Sequence, residues 1–130
     1  MHFDPRVQRA LREAGLDADA IADASDRAAE LVARDADRLR AFFGREGPYY
    51  SDMELAHSAS AIQEHASADV DLFTHGRDLR GYLSLDGWGV PVEGGRILRE
   101  GEDGDPVLVE LSLGDTVNDR VRFARAREAL

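Results

Sequence analysis

Apolar residues recur along this chain with two different periods, and the change falls near Leu83. A helix buries residues about 3.6 apart and a strand every second one. The chain must therefore build both elements, in separate regions. Before Leu83 the spacing is helical; beyond it Trp88, Val90 and Val92 alternate with other residues. This predicts an α+β fold of about four N-terminal helices, a three-stranded antiparallel sheet and a C-terminal helix. With 130 residues the chain suffices for one core, so a single domain over 1–130 is expected: a mainly helical part at 1–83, antiparallel strands at 84–113 and a closing helix at 114–130.

Asp4-Pro5 opens the first helix, with the aspartate as N-cap and the proline where a missing N–H costs nothing. Val7, Leu11 and Ala14 form its buried stripe, and Gly15 ends it. Asp17 caps a long helix reaching about Gly44, with Ile21, Ala24, Ala28, Leu31, Val32, Leu39, Phe42 and Phe43 as its core face. Asp35 falls within that apolar arc. It should be paired with an arginine or histidine, or lie where the stripe reaches solvent.

The stretch Ser51 to Leu83 holds three of the four histidines. Ser51 and Glu54 have the spacing of a capping box, and Leu55, Ala59, Ile62 and Ala66 follow on one helical face. A second helix starts at Asp69, with Leu72, Gly76, Leu79 and Leu83 at the same spacing. A competing reading ends that helix at Gly76 and makes Arg77 to Leu85 a strand; the apolar spacing running on through Gly76 favours the helix. Past Leu83, Gly94-Gly95 is expected to form a tight hairpin turn between Trp88–Val92 and Arg96–Arg99. Pro91 suggests an edge strand or a nitrogen facing away from a ladder. Gly101 to Asp105 is a turn-rich loop, Val107, Val109 and Leu111 mark a third strand, and Asp115 or Thr116 caps a last helix with Val117, Val121 and Ala124 inside.

Net charge is −10, with 26 acidic residues against 16 basic ones, every one of them arginine, and cysteine is absent. Carboxylate excess without lysine suits a cytoplasm rich in potassium chloride, where self-repulsion is screened. Lack of cysteine excludes disulfides, thiolate nucleophiles and cysteine-bound metal. Without lysine there is no P-loop lysine and no Schiff base, and Gly-x-Ser-x-Gly, His-Glu-x-x-His and Gly-x-Gly-x-x-Gly are all missing. No leader and no long apolar run is present, so a cytoplasmic protein without a membrane span is expected.

One constellation carries possible chemistry. If the central helices formed an antiparallel hairpin, Glu64 and His65 would come level with Asp71, and Glu54 and His57 with Asp78 and Tyr82, making two polar clusters; Glu54, His57, Glu64, His65, Asp71 and His75 are the candidate metal ligands. Nitrogen and oxygen donors of this kind suit zinc, manganese or iron. The plainer reading makes them solvated residues of an acidic protein, so no cofactor is expected outright. Trp88, with Val90 and Val92 on its strand, is the candidate interaction surface.

The segments HFDPRVQRALREAGL, YSDMELAHSASAIQEH, DVDLFTHGRDLRGYL, WGVPVEGGRI and TVNDRVRFA span most of the chain. Together they resemble a family of small uncharacterised haloarchaeal proteins, a domain of unknown function. The resemblance implies a haloarchaeal cytoplasmic origin and carries no activity with it. The expected function is a non-enzymatic interaction or accessory protein that binds another protein or a second copy as a homodimer; the alternative is a metal-binding protein or metal-dependent enzyme built on the His/Glu/Asp set. Nucleic acid is disfavoured by the overall charge.

Overall fold

The computed structural model describes residues 3–54, 60–114 and 119–130, with the backbone alone of Asp119. Two α-helices come first, α1 (Pro5–Glu13) and α2 (Ala18–Phe42). Seven strands follow: β1 (Tyr49–Ser51), β2 (Gln63–His65), β3 (Ala68–His75), β4 (Asp78–Leu85), β5 (Trp88–Glu100), β6 (Pro106–Leu113) and β7 (Asp119–Ala124). A short 3₁₀ turn, Arg127–Ala129, ends the chain.

Both helix starts are set locally. Asp4 Oδ1 accepts from the N–H groups of Arg6 at 2.8 Å and Val7 at 3.0 Å, and Asp17 Oδ1 accepts from Ala20 N–H at 2.8 Å. Gly15 leaves α1 at a φ of 99°. Along α2, Ile21, Ser25, Ala36, Leu39 and Phe42 are buried, whereas Leu31 is 42 % exposed. Asp35 is half-buried and lines a cleft of about 160 Å³ with Val32, Arg77 and Glu93, where the apolar stripe reaches solvent. No helix among the described residues is long and apolar enough to cross a membrane.

The proportions expected from sequence are overturned. In place of four helices, three strands and a closing helix, the described residues form two helices and one seven-stranded antiparallel sheet; the α+β class stands. Residues 69–83 are the hairpin β3–β4, closed at Gly76-Arg77 with Gly76 at a φ of 59°. The physical reason is aliasing. Leu79 and Leu83 are four apart, and four is both close to one helical turn and two strand repeats, so the same pair lies on one face of either element. Leu85 at the next even position extends the strand pattern, and all three are buried. Ser51 lies in β1 and caps no helix, while the stretch Leu55 to Ala59 lies outside the described residues. Of the expected last helix, Asp115, Thr116 and Val117 also lie outside them, and the arginine-rich remainder is β7, with Val121 and Phe123 buried and Arg122 exposed.

The hairpin turn expected at Gly94-Gly95 is absent too. Strand β5 runs through both glycines for 13 residues, shifting register between Val92 and Gly94, and neither glycine has positive φ. Gly95 is there for space: a Cβ would sit 2.9 Å from both Leu39 Cδ1 and Leu111 Cδ2, where α2 crosses the sheet. The hairpin turn is Asp86-Gly87 instead, with φ of 52° and 90°, the pattern of a type I′ turn. Pro91 lies in an interior strand. Its carbonyl accepts from Gly114 N–H at 3.0 Å, so its nitrogen faces the same side, beyond the last ladder pair Val92–Leu113. The missing N–H costs nothing there. The loop Gly101 to Asp105 joins β5 to β6 as expected.

The strand order β2-β1-β7-β6-β5-β4-β3 places two consecutive strands at opposite edges. Laid flat, six steps of about 4.8 Å would separate those edges by about 29 Å. Ala66 and Ser67 alone link His65 to Ala68, a span of at most about 11 Å. The sheet must therefore curl until its edges meet. Helix α2 packs within the curl, and its C-terminal end satisfies the free edge of β3: Gly44 N–H donates to the Ala68 carbonyl at 2.9 Å and Arg40 Nη2 to that of Leu72 at 2.8 Å. Covered edges resist pairing with other chains. Inside lie Leu39, Phe42, Phe43, Tyr49, Leu83, Leu85, Val90, Val92, Val109, Leu111 and Phe123. Phe43 packs on Tyr49 and Phe123 at centroid distances of 5.7 and 5.5 Å.

Candidate functional site

The seam where the sheet edges meet has polar groups in its interior. Strand alternation turns Tyr49 and Ser51 of β1, and Gln63 and His65 of β2, inward. Tyr49 is satisfied by donating to the Phe42 carbonyl at 2.9 Å. His65 is held at both ring nitrogens. Nδ1 lies 2.9 Å from Asp86 Oδ2, and Nε2 lies 2.7 Å from Ser51 Oγ.

Asp86 reaches this position from the β4–β5 turn. Its positive φ is one that aspartate tolerates better than most residues, and its backbone N–H donates to the Ser67 carbonyl at 3.2 Å. Oδ1 accepts from Ala66 N–H at 2.7 Å. As a carboxylate, Asp86 only accepts, so Nδ1 carries the ring proton. In the neutral imidazole Nε2 is then the acceptor of the Ser51 hydroxyl proton. Ser51 is wholly buried and His65 is 3 % exposed, while the Asp86 side chain keeps 36 % of its surface. The three side chains thus form a serine–imidazole–carboxylate relay that fastens β1, β2 and the β4–β5 turn together.

Of the residues marked from sequence as metal ligands, the fold separates most. Glu64 and His65 are neighbours in a strand and point to opposite faces. Glu64 is on the outside, where it accepts from Tyr50 Oη at 3.0 Å. That bond, foremost, holds the Tyr50 phenol above its ordinary range. Asp71 and His75 are exposed along β3, Glu54 is exposed in the loop after β1, and His57 lies outside the described residues. Among the described residues no three histidine, aspartate or glutamate side chains gather where an ion could sit. Val90 and Val92 of the candidate interaction strand are core residues at 1 % exposure each, and Trp88 beside the turn is 41 % exposed.

The outer sheet face divides in two. Across β5, β6 and β7 it carries a charge ladder: Arg96 Nε to Glu110 Oε1 at 3.0 Å, Glu110 opposite Arg122, and Arg122 Nε to Asp52 Oδ2 at 2.8 Å. Across β3 and β4 it carries aromatics. Phe73 is 58 % and Tyr82 60 % exposed, with Asp71 opposite Tyr82 and Phe73 opposite Arg80. Pro91 of β5 lies opposite Tyr82 on its other side.

Sequence reasoning missed the relay and this aromatic pair. Asp86-Gly87 is a hairpin dipeptide and could have been read as one; nothing local marks Ser51 or His65 as partners.

These features define an α+β protein in which one antiparallel sheet curls around a long helix, with a polar relay at the seam. A model of DUF7532, a family of unknown function, matches residues 1–128. The chain belongs to that family. No curated protein and no solved structure matches it.

Proposed function

We propose that this is an interaction or accessory protein that docks through the outer face of β3 and β4, and that its partner is a second copy of itself. The observation that carries the reading is the exposure of Phe73 and Tyr82 on one face, beside the half of the sheet closed by ion pairs. Tyrosine and phenylalanine are enriched at interfaces relative to the rest of a protein surface. The arrangement around them is self-complementary. Phe73 and Tyr82 occupy one diagonal of a four-residue block, and Asp71 and Arg80 the other. A twofold axis along the aromatic diagonal sets each aromatic on its own copy and Asp71 of one chain over Arg80 of the other, the isologous pattern of a dimer. The setting we propose is a haloarchaeal cytoplasm, because a net charge of −10 without lysine is best tolerated in concentrated potassium chloride.

Light scattering behind size-exclusion chromatography in molar potassium chloride tests this. The wild type should run as a dimer, and Phe73→Ser/Tyr82→Ser as a monomer with an unchanged circular dichroism spectrum. A charge swap at Arg80→Asp should weaken the dimer and Asp71→Arg added to it should restore it. A wild type that stays monomeric at about 100 µM, the scale of a weak specific contact, overturns self-association through this face.

A further inference from the structure

The relay at the seam has the connectivity of a nucleophilic triad, and we propose that Ser51 is an activated hydroxyl that accepts small acyl groups from esters. Three observations support the assignment. Ser51 Oγ and His65 Nε2 stand 2.7 Å apart, within the reach of a nucleophile and its general base. The opposite nitrogen is held by the Asp86 carboxylate at 2.9 Å, which fixes the tautomer that leaves Nε2 able to take a proton. The third group is itself oriented, by Ala66 N–H on its other oxygen. Satisfying a buried serine would need one acceptor; this arrangement supplies an acceptor, a tautomer lock and an orienting donor in series.

Enclosure decides the substrate class. Ser51 is wholly buried, so a substrate has to be small, an acyl group of about acetyl size on a good leaving group, and has to enter through an opening of the sheet edge. The route in is set by the two ends of β2. Gln63 is paired with Ser51 at one end of this three-residue strand, which among the described residues is laddered to β1 alone. His65 is anchored by Asp86 at the other. Short edge ladders open at low cost, and fraying from the Gln63 end uncovers Ser51 while His65 keeps its partner.

In the acyl transfer, the Ser51 Oγ–H proton passes to His65 Nε2 as Oγ bonds to the ester carbonyl carbon. The carbon–oxygen bond to the leaving group then breaks, and the alcohol departs with the proton from Nε2. Water reverses the sequence and releases the acid. Asp86 acts as a positioning residue; it touches neither reacting atom. Met53 N–H donates to Ser51 Oγ at 3.4 Å in the resting state.

The test is p-nitrophenyl acetate added to the full chain in molar potassium chloride, followed by intact mass and peptide mapping. The expected result is one acetyl group on Ser51, trapped by acid quench before water releases it, with a matching initial burst of p-nitrophenolate. Its rate should fall about 100-fold or more in His65→Gln, the usual scale of a general base, and vanish in Ser51→Ala. Asp86→Asn, which keeps the size of the side chain, should change the pH profile of acetylation, which a merely structural residue would leave in place. Melting curves establish that each variant is folded, and Asp86→Asn replaces His65→Gln should the latter unfold. An unmodified Ser51 in the wild type, or acetylation at the same rate and pH profile in both variants, overturns the proposal and leaves the relay as a fastening alone.

Discussion

Tyr50 shows how one hydrogen bond couples a surface residue to pH. Its phenol donates to Glu64 Oε1 at 3.0 Å across the β1–β2 pair, and Arg127 stands over its ring at 5.2 Å. The bond to Glu64 requires the protonated phenol, so the folded pKa rises above the ordinary 10.0. The contribution to stability is thus complete below that ordinary value and is lost as pH rises through the raised one. In Glu64→Gln the phenol should titrate closer to the ordinary value, read by near-ultraviolet absorbance; an unchanged midpoint would place the cause elsewhere. The helix caps are equally local. Asp4 is held below its ordinary pKa by the Val7 N–H foremost, and its place before Pro5 is legible from two adjacent letters. The relay is different: Ser51 and Asp86 stand 14 and 21 positions from His65. No spacing rule links residues at such separations until strands bring them together.

At the level of elements, the long helix was readable and the central hairpin was not. Helix α2 repeats its apolar residues over seven turns, enough for the helical and strand periods to diverge. The strands β3 and β4 have eight residues each, short enough that residues four apart fit both. Glycines misled for a related reason. Gly94-Gly95 looks like a turn, yet Gly95 is there to let α2 approach the sheet. Gly81 is a second case: a Cβ on it would land on the Asp71 carbonyl oxygen of the paired strand. Backbone cannot move aside as a side chain can, so Gly81→Ala should destabilise by about 3 kcal/mol or more. Equilibrium unfolding in urea at fixed potassium chloride measures it; a loss within about 0.5 kcal/mol, the range of ordinary surface changes, would show that the β3–β4 ladder tolerates the shift.

For the whole molecule, the excess of ten negative charges and the curled sheet pull in different directions. Repulsion among surface carboxylates opposes compactness, and salt screens it over about 10 Å at 0.1 M and about 3 Å at 1 M. The melting temperature should therefore climb as potassium chloride rises from about 0.1 M to about 1 M, the range over which that screening length shrinks, and circular dichroism follows it directly; a flat response would assign the acidity to something other than solvent. Composition determined that charge balance and the absence of thiol and lysine chemistry, and residue order determined the α+β class and the two helix starts, because each depends on residue identity, on the spacing of apolar residues along the chain or on neighbours within one turn. Only tertiary structure decided how much of the chain is strand, since a period of four is shared by both elements until pairing partners choose. It also decided that β2 and β3, adjacent in sequence, lie at opposite edges of the sheet and draw them together. That closure brings Ser51, His65 and Asp86 within hydrogen-bonding distance and leaves Phe73 and Tyr82 facing outward.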